Sequence, residues 1–340
     1  MTRLSVCIPT YNFGRFIGET LNSILKQATD EVEIVVLDGA STDNTSDVVR
    51  SFQARFPRLR YHRLDRRGGI DRDMARSVEL ANGEYCWLFS SDDVMREDAL
   101  RDILGEIKLR FDLYLCGLTL CTLDMQPITQ HPVLSLGSDA EFDLTNEQHR
   151  LRYFGLAQTT TAFFSFMGSL IVKKARWDAM PFNEAFDGTL WAHVARIFEM
   201  VPQGLHLKYL SRSYLYKRGD NDSFMDKGIG HRYKVAIEGY DRLAETLFPK
   251  DSVEAFHIRR AVRNEFPSVR DLLRFKLANI RHLPRDIQLL DQLAAAVYRD
   301  HPFTKRAQFL AYRMTPLPVA RAARVVYRAL KPYLQAPKSR

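Results

Sequence analysis

Over its first 115 residues the chain alternates short apolar, β-rich runs with helix-spaced segments, and this alternation restricts the fold more than any other feature. Leu4 to Thr10 is the first run, punctuated by Pro9 and followed by the turn-prone Asn12-Phe13-Gly14. Ile17, Leu21, Ile24 and Leu25 then recur at helical spacing. Val32 to Leu37 has the β-branched character of a buried strand and is closed by Asp38-Gly39. Ser41, Thr42 and Asp43 supply N-cap chemistry ahead of an apolar face carrying Val48, Val49 and Phe52. Leu59 to Leu64 is a third strand, and Gly68-Gly69 turns the chain into a helix with Met74, Val78 and Leu80 that Asn82-Gly83 ends. Tyr85 to Phe89 is a fourth strand and runs directly into Ser90-Ser91-Asp92-Asp93. Four strands separated by three helices predict an α/β fold with a parallel, doubly wound sheet. Ligands of such sheets bind beyond the carboxyl ends of the strands, where this chain carries Thr10-Tyr11-Asn12, Asp38 and Asp92-Asp93.

The pattern loosens further on. Asp112 to Thr122 reads as a strand, Met125 to Asp143 as a loop or insertion, Phe163 to Val172 as a strand, Phe186 to Met200 as a helix and Leu207 to Tyr214 as a strand. From Lys227 the pattern is helical and basic. We therefore expect one domain over 1–225, divided at 115/116 into nucleotide-binding and acceptor-binding halves, and a helical C-terminal region over 226–340.

With 340 residues, 46% hydrophobic and 26% charged, the chain can bury an ordinary core. Its net charge of +8 favours anionic partners: nucleotide diphosphates, acidic lipids or nucleic acid. Cys7, Cys86, Cys116 and Cys121 lie in apolar runs without zinc-site spacing, as buried thiols in a reducing compartment would. The opening run is too short for a signal peptide, and no stretch has the roughly 20 apolar residues of a membrane span. These features predict a cytoplasmic protein, soluble or peripheral on the inner face of the membrane.

Asp92 and Asp93, adjacent carboxylates between a strand and a helix, suit a hard divalent cation that also binds a diphosphate; one of them could equally cap the next helix. Asp38, in a sharp turn, can accept from a base N–H or a ribose hydroxyl, or simply close an Asx turn. No complete Gly-x-Gly-x-x-Gly follows the first strand, which disfavours a dinucleotide oxidoreductase.

Taken together, Leu4-Ser5-Val6-Cys7-Ile8-Pro9-Thr10-Tyr11-Asn12, Val35-Val36-Leu37-Asp38-Gly39-Ala40-Ser41-Thr42-Asp43, Asp73-Met74-Ala75-Arg76 and Gly83 to Asp93 resemble family 2 glycosyltransferases of GT-A fold, in order and spacing. The wording of Gly69-Ile70-Asp71-Arg72-Asp73-Met74 and Ser90-Ser91-Asp92-Asp93 is similar to the abequosyltransferase-like branch, whose members add a deoxysugar to a lipid-linked O-antigen unit. The resemblance implies a GT-A domain, a nucleotide-sugar donor, a glycan acceptor and inversion at the anomeric carbon. It implies nucleotide contacts at Pro9, Thr10, Tyr11 and Asp38, donor contacts at Asp71 and Arg72, and Mn²⁺ or Mg²⁺ at Asp92 and Asp93, with Asp92 also near the ribose. Ser90 departs from the family's commoner Asp-Ser-Asp-Asp. Arg218, in the polar turn Tyr216 to Ser223, corresponds to a segment that closes over the diphosphate.

The family's Glu-Asp pair, whose carboxylate takes the acceptor proton, is replaced here by Thr189-Leu190. Asp187 and His193 are the nearest groups able to serve as base. A non-catalytic scaffold of the same fold is the alternative this departure raises; a sugar nucleotidyltransferase would need a Gly-rich N-terminal loop that is absent.

After Asp300 the chain has nine Lys and Arg and no acidic residue. Arg321, Arg324, Arg328 and Lys331 share a helical face, with Ala322, Val325, Val326, Ala329 and Leu330 over much of the rest. This predicts a helix lying on an anionic membrane or a solvated helix docked on the core. Nucleic acid is not expected, since no binding motif accompanies the charge.

Overall fold

A computed structural model describes residues 2–221, 227–278, 284–299, 302–316, 318–322 and 325. The chain forms two compact units, one of residues 1–222 with 239–264, the other of 223–238 with 265–340.

The first unit is built on one mixed sheet. Its opening half is as the alternation predicts: β1 (Leu4–Thr10), α1 (Ile17–Leu25), β2 (Val32–Asp38), α2 (Thr45–Gln53), β3 (Leu59–Arg63), α3 (Ile70–Glu79) and β4 (Tyr85–Leu88). These strands lie in the order β3-β2-β1-β4 and all pair in parallel. Both β1 and β2 are buried along their whole length, so neither alternates in polarity. Ile17, Leu21 and Ile24 of α1 and Val49 of α2 join Leu4, Val6 and Ile8 in one core. The N-cap of α2 is Asn44, one residue past the Ser41-Thr42-Asp43 expected; Asp43, just outside, accepts the Thr45 N–H at 3.0 Å and the Gly14 N–H at 3.0 Å.

The second half follows as β5 (Val94–Met95), α4 (Ala99–Glu106), β6 (Leu113–Cys121), β7 (Pro127–Gln130), β8 (Ala140–Asp143), α5 (Glu147–Leu156), β9 (Leu170–Lys173), α6 (Lys174–Asp178), α7 (Ala192–Met200) and β10 (His206–Lys217). The sheet continues past β4 as β9-β6-β10-β5, with β7 on β6 and β8 on β10. β9 runs antiparallel between β4 and β6, and β6 pairs in parallel with β10. Register shifts between Leu210 and Leu215 mark a bulge in β10. Its backbone comes so close to Gly117 that a Cβ there would stand 2.8 Å from the Ser211 and Arg212 carbonyls.

Four expectations need correction here. Residues 125–143 are not merely a loop, for they contain β7 and β8; β7 is fully exposed, so no buried face announces it. The strand over 163–172 shrinks to 170–173, because 160–163 and 167–169 are 3₁₀ turns and Phe164 has φ 67°. The helix over 186–200 begins only at Ala192, since Gly188 and Leu190 take φ of 73° and 74°. β10 extends to Lys217, beyond the strand expected to stop at Tyr214.

The expected boundary at 225/226 does not coincide with the packing units. It falls ahead of α8 (Ile229–Leu247), whose second half and α9 (Val253–Asn264) belong to the first unit. Tyr240 donates to the Phe163 carbonyl at 2.8 Å, and Arg260 caps the end of α5 through the carbonyls of Phe154, Gly155 and Ala157. The second unit contains α10 (Val269–Ala278), α11 (Pro284–Arg299) and α12 (Phe303–Met314). Its core is Phe266, Leu272, Leu290, Ala294, Val297, Tyr298, Phe309 and Tyr312. Of the residues expected to form a membrane helix, only Arg321, Ala322 and Val325 are described; Arg324, Val326, Arg328, Ala329, Leu330 and Lys331 lie outside the described residues.

Candidate active site

Parallel register sets Thr10 opposite Asp38 and Leu88 opposite Cys7. Strands β2, β1 and β4 thus deliver Asp38, Thr10-Tyr11 and the Ser90–Asp93 turn to one edge of the sheet. Asp38 is fully buried; it accepts the Ser41 N–H at 2.7 Å and the Tyr61 hydroxyl at 2.6 Å. Burial and that bond push the Tyr61 phenol up to about 12. Asp38 therefore shapes the turn after β2, through an N–H three residues on where an Asx turn would use the one two residues on. The Asn12 side chain accepts the Thr42 N–H at 2.7 Å and ties the two strand ends together. Pro9 lies within β1 opposite Leu37. Thr10 is 4% exposed, and its hydroxyl finds no partner among the described residues. Tyr11 carries the Arg67 guanidinium over its ring, 4.1 Å from the centroid.

Asp73, which the sequence analysis used only within a motif, is buried at the same edge. Its two oxygens would lie 2.6 and 2.5 Å from a Cβ placed on Gly39 and Gly68, so both glycines are needed to admit the carboxylate. Burial raises its pKa to about 6; the Asp38 charge adds to the rise and Arg67 opposes it.

The aspartate pair lies at the end of β4. Asp92 accepts from Ser90 Oγ at 2.7 Å and from Asn221 Nδ2 at 2.8 Å. Asp93 is 1% exposed; Oδ1 accepts the Arg218 N–H at 2.8 Å, while Oδ2 is buried with no partner among the described residues. Burial, then the adjacent Asp92 charge, raise the Asp93 pKa well above the usual carboxylate range. A hard cation would relieve both the orphaned oxygen and the repulsion. Among the described residues no group of three or more His, Cys, Asp or Glu could hold a metal. Two carboxylates, with a diphosphate and water completing the shell, match the way Mg²⁺ is commonly bound.

Arg218 is placed differently from the phosphate contact expected of it. It is 4% exposed, with its guanidinium directed to the Asp92 carbonyl at 2.8 Å, the Leu123 carbonyl at 2.6 Å and Glu19 at 2.5 Å, over the Phe16 ring. It holds the aspartate turn from behind.

The first turn of α3 faces the loop before α7. Asp71, expected to touch the sugar, is buried and accepts the Leu190 N–H at 2.9 Å and the Ala192 N–H at 3.1 Å, capping α7 from another helix. Burial raises its pKa. Arg72, expected on a phosphate, pairs instead with Glu184 at 2.6 Å and Asp187 at 2.8 Å. Asp187 keeps 31% of its side chain exposed. His193 has Nε2 3.1 Å from the Phe164 carbonyl, which can only accept, so the neutral ring carries its proton there. Burial lowers its pKa to about 4, leaving it a weak proton acceptor near neutrality.

A half-parallel sheet extended by antiparallel strands, with polar strand ends and an acidic pair after β4, is the architecture of a GT-A nucleotide-sugar enzyme. Residues 5–174 match the family described as Glycosyl transferase family 2. The chain is 35% identical over 267 residues to the abequosyltransferase RfbV of Salmonella typhimurium, covering 77% of this chain and 79% of that protein. The chain thus belongs to glycosyltransferase family 2, and it is a glycosyltransferase. The fold matches Staphylococcus aureus TarS 1–349 in complex with UDP-GlcNAc at a TM-score of 0.56, with 19% identity, covering 96% of this chain and 92% of that one. It also matches the mannosyltransferase PcManGT of Pyrobaculum calidifontis in complex with GDP-Man and Mn²⁺ at a TM-score of 0.51, with 16% identity, covering 98% and 88%.

Proposed function

We propose that the chain transfers a sugar, a deoxyhexose in particular, from a nucleoside-diphosphate donor to a hydroxyl of a lipid-linked O-antigen glycan, with inversion. The observation that carries this reading is the buried aspartate pair beside the ends of β1 and β2, with an Asp93 oxygen and the Thr10 hydroxyl on the same edge that find no partner among the described residues. The similarity to an abequosyltransferase supports the sugar class and the polysaccharide context.

In this reading the Arg67–Tyr11 stack and the Thr10 hydroxyl receive the nucleoside, while the turn held by Asp38 shapes the wall beside them. Asp92 and Asp93 would hold Mn²⁺ or Mg²⁺, which neutralises charge on the departing nucleoside diphosphate when bound; PcManGT, with Mn²⁺, is a structural precedent. Arg218 keeps the aspartate turn rigid from behind. Asp187 takes the acceptor proton, because it is partly exposed, whereas the His193 ring is already committed to the Phe164 carbonyl. Arg72 orients it, and single displacement by the acceptor oxygen inverts the anomeric carbon.

Thermal melts with UDP, GDP, CDP and TDP, each with and without Mn²⁺, test the donor site. One nucleotide should raise the midpoint, and more so with Mn²⁺. Asp93→Asn should remove the Mn²⁺ increment and reduce transfer on the order of 100-fold. Full transfer by Asp92→Asn and Asp93→Asn with EDTA present would refute the metal role.

A further inference from the structure

The unit built from α10 to α12 leaves an apolar stripe uncovered. Among the described residues, ten large hydrophobic side chains are exposed, and five of them fall between 303 and 325: Phe303, Leu310, Met314, Val319 and Val325. The concentration matters because isolated exposed hydrophobics are ordinary, whereas a contiguous set marks an interaction surface.

Phe303, Leu310 and Met314 recur at i, i+7 and i+11 on α12, which at about 100° per residue puts them within an arc of about 40°. They are 80%, 57% and 73% exposed. The opposite side of the same helix is already used: Phe309 and Tyr312 are buried in the core of this unit, and Phe309 stacks on Tyr298 at 4.9 Å. α12 therefore has two apolar stripes, one packed and one bare.

The charge around the bare stripe selects the occupant. Arg306 and Arg313 are exposed one helical turn or less to one side of it, and α12 contains no acidic residue. Beyond the helix, Val319 and Arg321 repeat the pairing of an exposed apolar side chain with an exposed cation. An apolar stripe with cations along one side and no acidic residue on its own helix fits a surface that is negative outside and apolar beneath, as an anionic bilayer is. A protein partner would need an acidic rim around an apolar groove. Among the described residues no helix is long and apolar enough to cross a membrane.

We infer that α12 is an interfacial docking helix, which lays Phe303, Leu310 and Met314 into the headgroup boundary of an anionic membrane while Arg306 and Arg313 meet lipid phosphates. This attachment is independent of the aspartate site and of the transfer reaction proposed above.

The test is flotation of the full chain with vesicles of equal parts phosphatidylglycerol and phosphatidylcholine, and with phosphatidylcholine alone. The protein should float with the anionic vesicles and stay in solution with the neutral ones. A triple variant F303S/L310S/M314S should bind on the order of tenfold more weakly while keeping its circular dichroism and thermal midpoint, because none of the three side chains is buried. R306E/R313E should lose binding to a similar extent, and raising salt should weaken the native protein's binding. Undiminished flotation of the triple variant, or no flotation of the native protein, overturns the proposal. So does a native dimer that the triple variant disrupts without any loss of lipid binding, which would make the stripe a contact between copies of this chain.

Discussion

A carboxylate taken out of water without a cation is unstable as an anion, and it adjusts by holding its proton or by waiting for a partner. Asp73, whose burial Arg67 only partly offsets, and Asp93 are two such groups at the sheet edge. For Asp73 the consequence is measurable in the free protein. Its folded pKa of about 6 lies above the ordinary value of 3.8, so the folded state binds the proton more tightly than the unfolded chain. The stabilisation this gives is fully present below about pH 4 and is lost as pH rises to about 6. Asp73→Asn removes the titration yet keeps an oxygen in the space between Gly39 and Gly68. The variant's thermal midpoint should therefore gain on the native protein from pH 4 to 6 and hold that gain above it, worth about 3 kcal/mol. A lead that is the same at pH 4 and pH 7 would show that Asp73 is not the titrating group. This residue was not legible as a site in the sequence, because its confinement depends on two glycines, Gly39 some 30 positions away. Asp38, Asp92 and Asp93 were legible in position, since each ends an apolar run. What Arg218 and Asp71 hold was not, because their partners come from distant parts of the chain, such as Asp92 and Leu190.

At the scale of elements, the opening half of the sheet could be read directly because β1 and β2 are apolar throughout and each is followed by a helix with its own periodicity. The later strands escaped for a physical reason. β7 is exposed at all four positions, and β9 is the end of a largely apolar run from Phe163 to Val172 whose earlier part is taken up by 3₁₀ turns, so composition did not mark where the strand begins. The most informative junction is the one between α3 and α7. α7 starts with Trp191 as its N-cap residue and no side chain of its own to cap it. Asp71 fills that role from α3, and the backbone reaches it through Leu190 at a φ of 74°. Asp71→Ala should destabilise the protein by about 1–2 kcal/mol in urea unfolding, since it removes the acceptor of the Leu190 and Ala192 N–H groups at the entry to the helix. Asp71→Asn should recover most of that loss, because an amide oxygen can still accept. If instead both variants keep full stability and lose transfer alike, Asp71 works on the donor and not on the helix.

For the whole molecule, α12 has one face that packs and one that is exposed, and removing the whole basic tail would confound the two. α12 supplies Phe309 and Tyr312 to the core of its unit, and Tyr312 also donates to Asp291. A chain ended at Pro302 loses both aromatic side chains from that core. Losing one buried Phe typically costs about 3–5 kcal/mol, so this truncation should destabilise the second unit by at least about 3 kcal/mol. A chain ended at Ala322 keeps α12, the buried Ala320 and the exposed stripe, while it discards Arg324, Arg328, Lys331, Lys338 and Arg340. It should unfold at the same urea concentration as the full chain. On anionic vesicles it should bind with reduced salt sensitivity, since five cations are gone and the apolar contacts remain. Comparing the two truncations separates the contributions: the shorter chain reports on packing, and the longer one on the charge that follows α12. Unchanged stability in the chain ended at Pro302 would mean that Phe309 and Tyr312 add nothing to this core. Complete loss of vesicle binding in the chain ended at Ala322 would move the attachment from the stripe on α12 to the residues after it.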